Sequence, residues 1–340
     1  MIGSSHHRLK AFFGFLCISL FILAGCTGGG PASEADCSNG DRFFEHEKLS
    51  GDPICIPQQP TRIVALDPFT FEAMIALDAP LVASSDAYMR ELLTHAPQLA
   101  PQLEEVVNSG IPVNYETLID LEPDIILCRR TACNRQLRRL RQIAPTVVFD
   151  NQSAADWRES ARFFAEAIGM QAEMAALEAG YDQRTEMMRS IVGSEPPKIS
   201  VMRIQPDRLR LYFNQSFAGI VLTDAGFTFP VGQAIAADAN RDDLGRPQLA
   251  NISEEELNLI EADYTFVYVT ENAGEDAAQA YLDDLLRRPL WQSLEVVERG
   301  DLHIVGIYWF ASGYIAAHQM LDDLSAVVLG VDPEGDNPFE

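Results

Sequence analysis

The chain has little positive charge and almost no lysine. Lys10, Lys48 and Lys198 are its lysines, and 25 basic residues stand against 50 acidic ones in 340 residues. The formal net charge of −25 argues against a free nucleic-acid binder, which needs a basic surface to neutralise phosphates. Because nearly all the positive charge is on arginine, the cationic side chains are those best suited to bidentate binding of anionic oxygens.

Catalytic and metal-binding patterns are also missing. The chain contains no G-x-S-x-G, P-loop or HExxH sequence. Its scattered histidines lack ligand spacing, which argues against direct capture of zinc or manganese; they include His46, His95, His303 and His318. We therefore expect neither an enzyme nor a resident metal. The alternative, an envelope enzyme, would need a nucleophile–base pair or an open metal site.

No apolar run reaches the roughly 20 residues of a comfortable spanning helix. The run at residues 11–24 follows Arg8 and Lys10, as in a secretory signal. It ends in Leu-Ala-Gly-Cys, which resembles the bacterial lipobox. We therefore expect residues 1–25 to be removed, Cys26 to be lipidated and residues 27–40 to form a flexible leash. The alternative is a plain signal peptide with an incidental cysteine.

Four further cysteines remain in the expected mature chain: Cys37, Cys55, Cys128 and Cys133. Export would bring them into a compartment that permits disulfides. The simplest pairs are Cys37 with Cys55 and Cys128 with Cys133, but four cysteines allow three connectivities and the sequence does not decide between them. A metal site is the weaker alternative, since no C-x-x-C spacing occurs.

Strand-like and helical segments alternate in two regions, residues 57–151 and 193–331. Residues 152–192 between them keep a helical rhythm over about 60 Å, with Ser153 as a candidate N-cap and Gly169 as a candidate break. We predict an α/β protein of two lobes, each a mostly parallel sheet flanked by helices, joined by a long helical connector. A lipidated tether and N-terminal segment (26–56) would precede the lobes, and an acidic tail (332–340) would follow them.

Five segments in order resemble the periplasmic binding proteins of iron-siderophore, cobalamin and haem ABC importers. They are TRIVALDPFTFEAMIALD, NYETLIDLEPDIIL, SFAGIVLTDAGF, ISEEELNLIEADYTFV and WFASGYIAAHQMLDDL, which together span residues 61 to 330. The resemblance implies two α/β lobes joined by a long helix, with the ligand bound in the cleft between them. It also implies that the loaded protein docks on an ABC permease in the inner membrane.

From this resemblance we expect a periplasmic, membrane-anchored lipoprotein that captures a ferric siderophore. The chelator would supply the oxygen ligands to iron, so that the protein grips only its organic shell. We expect a monomer with no nucleic-acid partner, no covalent cofactor besides lipid, and contact with the membrane through the anchor alone. A haem or cobalamin binder of the same class and a ligand-sensing lipoprotein are the alternatives. The siderophore type, whether hydroxamate, catecholate or citrate, stays open.

The candidate ligand-binding residues follow predicted strands or lie within them. Arg129 and Arg130 follow a buried strand, at the edge where open α/β sheets bind ligands. The others come from family-like positions or from aromatic residues in loops: Arg203, Arg210, Tyr212, Tyr308, Trp309 and Tyr88. Arg135, Arg138, Arg139 and Arg141 are interpreted as a solvated helix face, and Trp157 and Trp291 as core residues.

Glu116 and Glu255 are expected to contact the permease. They occupy matching places in NYETLIDLEPD and ISEEELNLIEAD. In the family that these segments resemble, one exposed glutamate from each lobe pairs with permease arginines. In a chain with 50 acidic residues, an ordinary charged helix surface is the alternative.

Overall fold

The computed structural model describes residues 37–38, 40–151, 154–205, 208–233, 249–269, 275–311, 313–332 and 337–339. The predicted signal, Cys26 and Ser153 lie outside these residues. In this described part of the chain, every helix is too short or too polar to cross a bilayer. The strands of the two lobes form two five-stranded sheets, and helices flank each sheet, as the alternating pattern predicts.

The first lobe is built on a fully parallel sheet. Its strands lie in the order β5-β4-β3-β6-β7. They are β3 (Ile63–Ala65), β4 (Leu81–Ser84), β5 (Val107–Asn108), β6 (Ile125–Arg129) and β7 (Thr146–Phe149). Its helices are α1 (Pro68–Ala76), α2 (Asp86–His95), α3 (Ala100–Leu103), α4 (Tyr115–Asp120), α5 (Arg130–Cys133) and α6 (Leu137–Leu140), with a 3-10 turn at Pro97–Leu99.

The second lobe repeats this strand order as β10-β9-β8-β11-β12. Its strands are β8 (Ile199–Gln205), β9 (Arg208–Tyr212), β10 (Leu249–Ile252), β11 (Tyr264–Val269) and β12 (Leu302–Ile304). Strand β9 runs antiparallel to both β8 and β10, so two of the four pairings in this sheet are antiparallel. This reversal follows from the short link between β8 and β9, because a parallel return needs a crossover of a dozen or more residues.

Helices of the second lobe cover its sheet. They are α9 (Phe217–Asp224), α10 (Glu275–Leu286), α11 (Pro289–Gln292), α12 (Glu295–Arg299) and α13 (Tyr314–Leu324), with 3-10 turns at Glu254–Ile260 and Ile307–Phe310 and a π turn at Ser325–Leu329. Helix α13 also packs on α1 of the first lobe. One apolar cluster therefore contains buried residues of both lobes, such as Ile63 and Val201.

The connector is two helices rather than one rod. They are α7 (Trp157–Ile168) and α8 (Gln171–Val192), after a 3-10 turn at Ala154–Asp156. Gly169 ends α7 with a φ of 78°, a left-handed conformation that suits glycine. Helix α7 packs on α1 and β7, whereas α8 packs on α9 and α13. The break at Gly169 is confirmed. It divides the predicted connector into helices of 12 and 22 residues that pack against each other, so the expected continuous span of about 60 Å is wrong.

A short antiparallel hairpin precedes the first lobe, within the segment interpreted only as a tether and N-terminal segment. It consists of β1 (Asp41–Phe44) and β2 (Ile54–Pro57). Leu49 in its loop bridges to Phe149, so the hairpin extends the edge of the first lobe. Disulfides join Cys37 to Cys55 and Cys128 to Cys133, which are the two simplest pairs.

Candidate functional site

The cleft between the lobes is lined by side chains from the carboxyl ends of strands. In the first lobe, α1 begins directly after β3, and Arg129 ends β6. Strands β3 and β6 are neighbours, and the chain continues from them towards opposite sides of the sheet. Open α/β sheets bind ligands at the point where the strand order reverses in this way. The candidate residues Arg129, Arg130 and Tyr88 all lie at this edge.

Arg129 is a buried arginine held by Asp67. Its Nε lies 3.0 Å from Asp67 Oδ1, and its backbone N–H donates to Asp67 Oδ2 at 2.8 Å. The guanidinium also lies 3.2 Å from the centre of the Phe69 ring. Burial lowers the pKa of Arg129, and the neighbouring Asp67 raises it. Arginine remains charged under such conditions, so Arg129 holds a fixed positive charge in the cleft wall.

Arg130 is less buried than Arg129, since its side chain is 46% exposed. It forms an ion pair with Asp150 at 2.7 Å. The Cys128–Cys133 disulfide closes the short turn that carries both arginines. The two arginines therefore differ: one is fixed in the wall, and the other is available at the surface.

Tyr88 lies on a cavity of about 120 Å³ between the lobes. The first lobe contributes Phe69, Glu72, Tyr88, Glu91 and His95 among its lining residues, and the second lobe contributes Phe310 and Ala311. Burial raises the pKa of Tyr88 and Glu91 and lowers that of His95 to about 4. At neutral pH, Tyr88 and His95 are therefore uncharged.

The second lobe brings arginines and aromatic rings together at the carboxyl end of β8. Arg203 lies opposite Arg210 on β9 and opposite Tyr268 on β11. Arg210 donates to the Asn251 side chain at 3.3 Å, and the Arg203 guanidinium lies 5.7 Å from the Tyr268 ring centre. Arg203 and Arg210 thus place two cationic side chains side by side on neighbouring strands.

Phe310 connects this group to the cavity. Its ring centre lies 4.7 Å from that of Tyr212 and 5.1 Å from that of Tyr268. Tyr212, Arg203 and Arg210 are half-buried. Three of the candidates from the second lobe, Arg203, Arg210 and Tyr212, are thus brought together as expected.

Trp309 does not lie in the cleft, and its assignment as a ligand contact is corrected here. The ring is 0% exposed and stacks on Phe266 at 4.4 Å, and its indole N–H donates to Asp323 at 2.7 Å. An aromatic residue after a strand can face either a pocket or the core, and Trp309, the largest of the three aromatic side chains here, packs in the core. Trp157 and Trp291 are buried as predicted.

Tyr308 lies beside a second cavity, of about 520 Å³, rather than beside the arginines. Its hydroxyl donates to Asp323 at 2.7 Å, and its ring centre lies 5.3 Å from that of His95. Burial, together with Asp323, raises the pKa of Tyr308. Because its ring contacts His95 of the first lobe, Tyr308 belongs to the contact between the lobes in this conformation.

Glu116 and Glu255 occupy equivalent positions. Glu116 is the second residue of α4, after the N-cap Asn114, and Glu255 is the second residue of a 3-10 helix whose N-cap is Ser253. The two helices follow β5 and β10, the corresponding outer strands of the two sheets. Both carboxylates are exposed. They lie at the carboxyl edges of their sheets, on the same side as the cleft.

Several cleft residues were not identified from the sequence, namely Asp67, Phe69, Glu72, Glu91, His95, Tyr268 and Phe310. Glu72 carried a signal, since it is a lone charge inside the apolar helical run TFEAMIAL. Asp67 directly follows a strand and precedes Pro68, a typical N-cap arrangement. In the described residues, no cluster of three His, Cys, Asp or Glu side chains is placed to hold a metal.

Comparison with known families agrees with this architecture. The family model described as periplasmic binding protein matches residues 63–305, more than half of the chain. The chain therefore belongs to the periplasmic binding proteins. The matched residues run from the first strand of the first lobe to just beyond the last strand of the second.

Individual relatives cover most of the chain. A probable siderophore-binding lipoprotein of Bacillus subtilis, YfiY, is 27% identical over 330 residues, which are 95% of this chain and 98% of the relative. The achromobactin-binding periplasmic protein of Dickeya dadantii is 28% identical and covers 71% of this chain and 74% of its own length. The crystal structure of Staphylococcus aureus SirA complexed with staphyloferrin B aligns with a TM-score of 0.68 at 21% identity, covering 86% and 99% of the two chains. This last likeness shows the fold.

Proposed function

We propose that this protein captures a ferric siderophore in the cleft between its lobes and delivers it to an ABC permease. The observation that carries the proposal is the convergence of cationic and aromatic side chains from both lobes. Tyr88 of the first lobe and Phe310 of the second line the cavity between the lobes. Arg129 lies against the lining residue Phe69. Arg203 lies near Tyr268, which contacts Phe310, and Arg210 lies opposite Arg203 on the neighbouring strand. The name of the Bacillus subtilis relative, a probable siderophore-binding lipoprotein, supports the same cargo.

This set of side chains suits a chelated iron rather than a bare ion. The chelator fills the coordination sphere of iron with its own oxygens, so that the protein meets an organic shell carrying negative charge. Arginine donates bidentate hydrogen bonds to such oxygens, and aromatic rings cover the apolar parts. The cavity of about 120 Å³ is smaller than the 300 Å³ or more of typical ligand pockets, so a bound siderophore must extend beyond it along the cleft.

We further propose that the protein is a periplasmic lipoprotein anchored through Cys26. The lipobox-like residues 23–26 and the lipoprotein name of the Bacillus subtilis relative support the anchor. The expected leash of residues 27–40 is shortened by the Cys37–Cys55 disulfide, which ties residue 37 to the hairpin, and residues 27–36 would give an r.m.s. reach of about 15–20 Å. In this proposal the protein acts as a monomer without a covalent cofactor besides lipid, and it has no catalytic activity.

Docking on the permease is proposed to use Glu116 and Glu255. Their equivalent positions place one exposed carboxylate on each lobe, at the edge that also opens the cleft. Two separated contacts fix the orientation of the loaded protein, so that the cleft faces the translocation path. Charge pairs at such contacts mainly set the association rate and the specificity.

The cargo is tested by isothermal calorimetry on the chain that lacks residues 1–26. Ferric siderophores of the hydroxamate, catecholate and citrate types are titrated, with haem and cobalamin as controls. Saturable binding of one ferric siderophore at sub-micromolar concentration, weakened in an Arg129→Ala variant, is the expected result. Binding of haem or cobalamin alone, or of no ligand at all, would overturn the iron assignment.

A further inference from the structure

Glu72 is a buried acidic residue that joins the two lobes. It lies on α1 of the first lobe, is 5% exposed and lines the cleft cavity. Its Oε1 accepts a hydrogen bond at 2.8 Å from the backbone N–H of Ala316, in the first turn of α13. A carboxyl group of one lobe therefore caps the amino end of a helix in the other.

The contact is closely fitted on both sides. Gly313 stands just before α13, and a Cβ at this position would overlap the carboxyl group of Glu72. The first N–H groups of a helix have no partner within the helix, and they carry a partial positive charge. The N-cap residue of α13 is Gly313, which has no side chain with which to cap the helix. Glu72 supplies that cap from across the cleft.

We propose that Glu72 is a positioning residue that couples proton uptake to cargo binding by holding the amino end of α13 against the first lobe. The inference deepens the proposed function, on which its cargo measurement rests. When Glu72 is protonated, the contact between α1 and α13 stays closed around the cavity. When Glu72 is ionised, a buried charge favours parting of the lobes, and it also repels an anionic cargo.

The surroundings of Glu72 leave its charge poorly compensated. Burial raises the pKa of Glu72 to about 7, Glu91 on α2 raises it further, and the hydrogen bonds from the amino end of α13 lower it. His95 and Tyr88 on α2 face the same cavity uncharged. Tyr314 at the start of α13 donates its hydroxyl to Glu178. The charged groups of α7 pair elsewhere: Arg158 with Asp224, Glu159 with Lys48, Arg162 with Glu178 and Glu166 with His46.

The direction of the pH effect follows from this raised pKa. A carboxyl group with a pKa of about 7 in the closed contact and an ordinary value of 4.5 when exposed binds its proton more tightly in the closed state. The stabilisation of the closed contact is fully present below about pH 4.5 and is lost as the pH rises to about 7. Above pH 7 the loss levels off. Cargo affinity, which requires the closed contact, should follow the same course.

The test measures two quantities between pH 5.5 and 8 on the chain lacking residues 1–26. The first is the affinity for the ferric siderophore identified by calorimetry. The second, without cargo, is the hydrogen-exchange protection of the Ile315 and Ala316 amides, corrected for the intrinsic pH dependence of exchange. The variants are Glu72→Gln, which keeps the shape without the charge, and Glu91→Gln, a matched control that lines the cavity without capping α13. Gly313→Ala disturbs the same contact from the other side.

In the unaltered protein we expect affinity and protection to fall by up to about tenfold between pH 6 and 8. The fall should persist in Glu91→Gln, shifted to lower pH because Glu91 raises the pKa of Glu72, and it should vanish in Glu72→Gln. Gly313→Ala should lose protection at both pH values. An unchanged pH dependence in Glu72→Gln would overturn the proposal. Absence of cargo binding with the expected exchange pattern would instead reject the proposed cargo and leave the role of Glu72 intact.

Discussion

Asp67 supports the first lobe's side of the cleft through several hydrogen bonds at once. Its carboxylate accepts from the backbone N–H groups of Phe69 and Thr70, from the Thr70 hydroxyl, and from the backbone and Nε of Arg129. It thereby caps α1 and neutralises a buried arginine. A single carboxylate thus joins the ends of β3 and β6, although Asp67 and Arg129 are 62 positions apart in sequence.

We predict that Asp67→Ala lowers the free energy of unfolding by about 3–5 kcal/mol, because it leaves the buried Arg129 charge without its partner. Urea unfolding followed by circular dichroism measures the change. The matched control is Asp86→Ala, which removes an exposed carboxylate paired with Arg90 and should change stability by less than about 1 kcal/mol. Equal effects of the two substitutions would show that the Asp67–Arg129 pair is not buried.

Arg210 is the arginine of the second lobe best suited to direct contact with cargo. Its described hydrogen-bond partner is the neutral side chain of Asn251, so its charge is available to an anion. We predict that Arg210→Ala weakens binding of an anionic ferric siderophore about ten- to hundredfold, the value of one charge-assisted hydrogen bond. Calorimetry measures the affinity for the siderophore. The control is Arg138→Ala, which removes an arginine from an exposed helix of the first lobe. Unchanged affinity in Arg210→Ala would remove this residue from the site.

The sequence predicted the positions of the cleft arginines but not their partners. Arg129 and Arg210 were found because the ends and faces of strands can be derived from local patterns. The pairing of Arg129 with Asp67 depends on which strands are neighbours, which no local pattern encodes. The wrong assignment of Trp309 has a similar cause, since the rotation of the short 3-10 turn Ile307–Phe310 decides which ring enters the core.

At the level of single elements, two helical glycines show how local and tertiary requirements differ. Gly180 lies exposed in the middle of α8 with open space around it, whereas a Cβ at Gly219 in α9 would overlap the backbone of Phe213 and Asn214. Helix propensity favours alanine at both positions by about 1 kcal/mol. Only at Gly219 does the close approach of the preceding turn oppose that preference.

We therefore predict opposite effects of the same substitution. Gly180→Ala should raise the free energy of unfolding by about 0.5–1 kcal/mol, and Gly219→Ala should lower it by about 1–3 kcal/mol because the turn before α9 must move. Thermal and urea unfolding of the two variants provide the measurement, and each variant controls for the other. A stabilised Gly219→Ala protein would contradict the close packing of α9 against residues 213–214.

Elements with a continuous apolar run were predicted well, and elements without one were not. The sequence predicts strands at residues 81–84 and 146–149, and β4 and β7 have these bounds. It predicts a helix over residues 216–225, and α9 begins there after the N-cap Ser216. The β1–β2 hairpin and α2 were missed. The hairpin strands have four residues each, and α2 carries charged residues around one buried leucine, Leu92, so neither shows a strong apolar period.

At the scale of the whole molecule, the two lobes present equivalent edges. Both sheets have the same strand order, and the helix after the outer strand of each lobe carries an exposed glutamate at its second position. The cleft and the two glutamates therefore lie on one side of the protein. This arrangement allows one partner to contact both lobes and to respond to their separation, which fits a protein that releases cargo only when docked.

If Glu116 and Glu255 form the two docking contacts, reversing their charges should stop delivery without affecting capture. We predict that Glu116→Arg or Glu255→Arg lowers siderophore-dependent growth or ⁵⁵Fe uptake about tenfold or more, and that the double variant abolishes it, while cargo affinity by calorimetry stays unchanged. Repulsion between like charges at an interface costs several kcal/mol, which justifies this size.

The control for this experiment is Glu105→Arg, which makes the same charge change at an exposed position just before β5, at the opposite edge of the first sheet. The Glu105→Arg variant should deliver cargo normally, because a permease bound at the cleft edge does not reach the amino ends of the strands. Normal uptake by the double variant would reject docking through these two glutamates. Loss of uptake in Glu105→Arg as well would show that net charge, rather than the position of the carboxylates, governs the encounter with the permease.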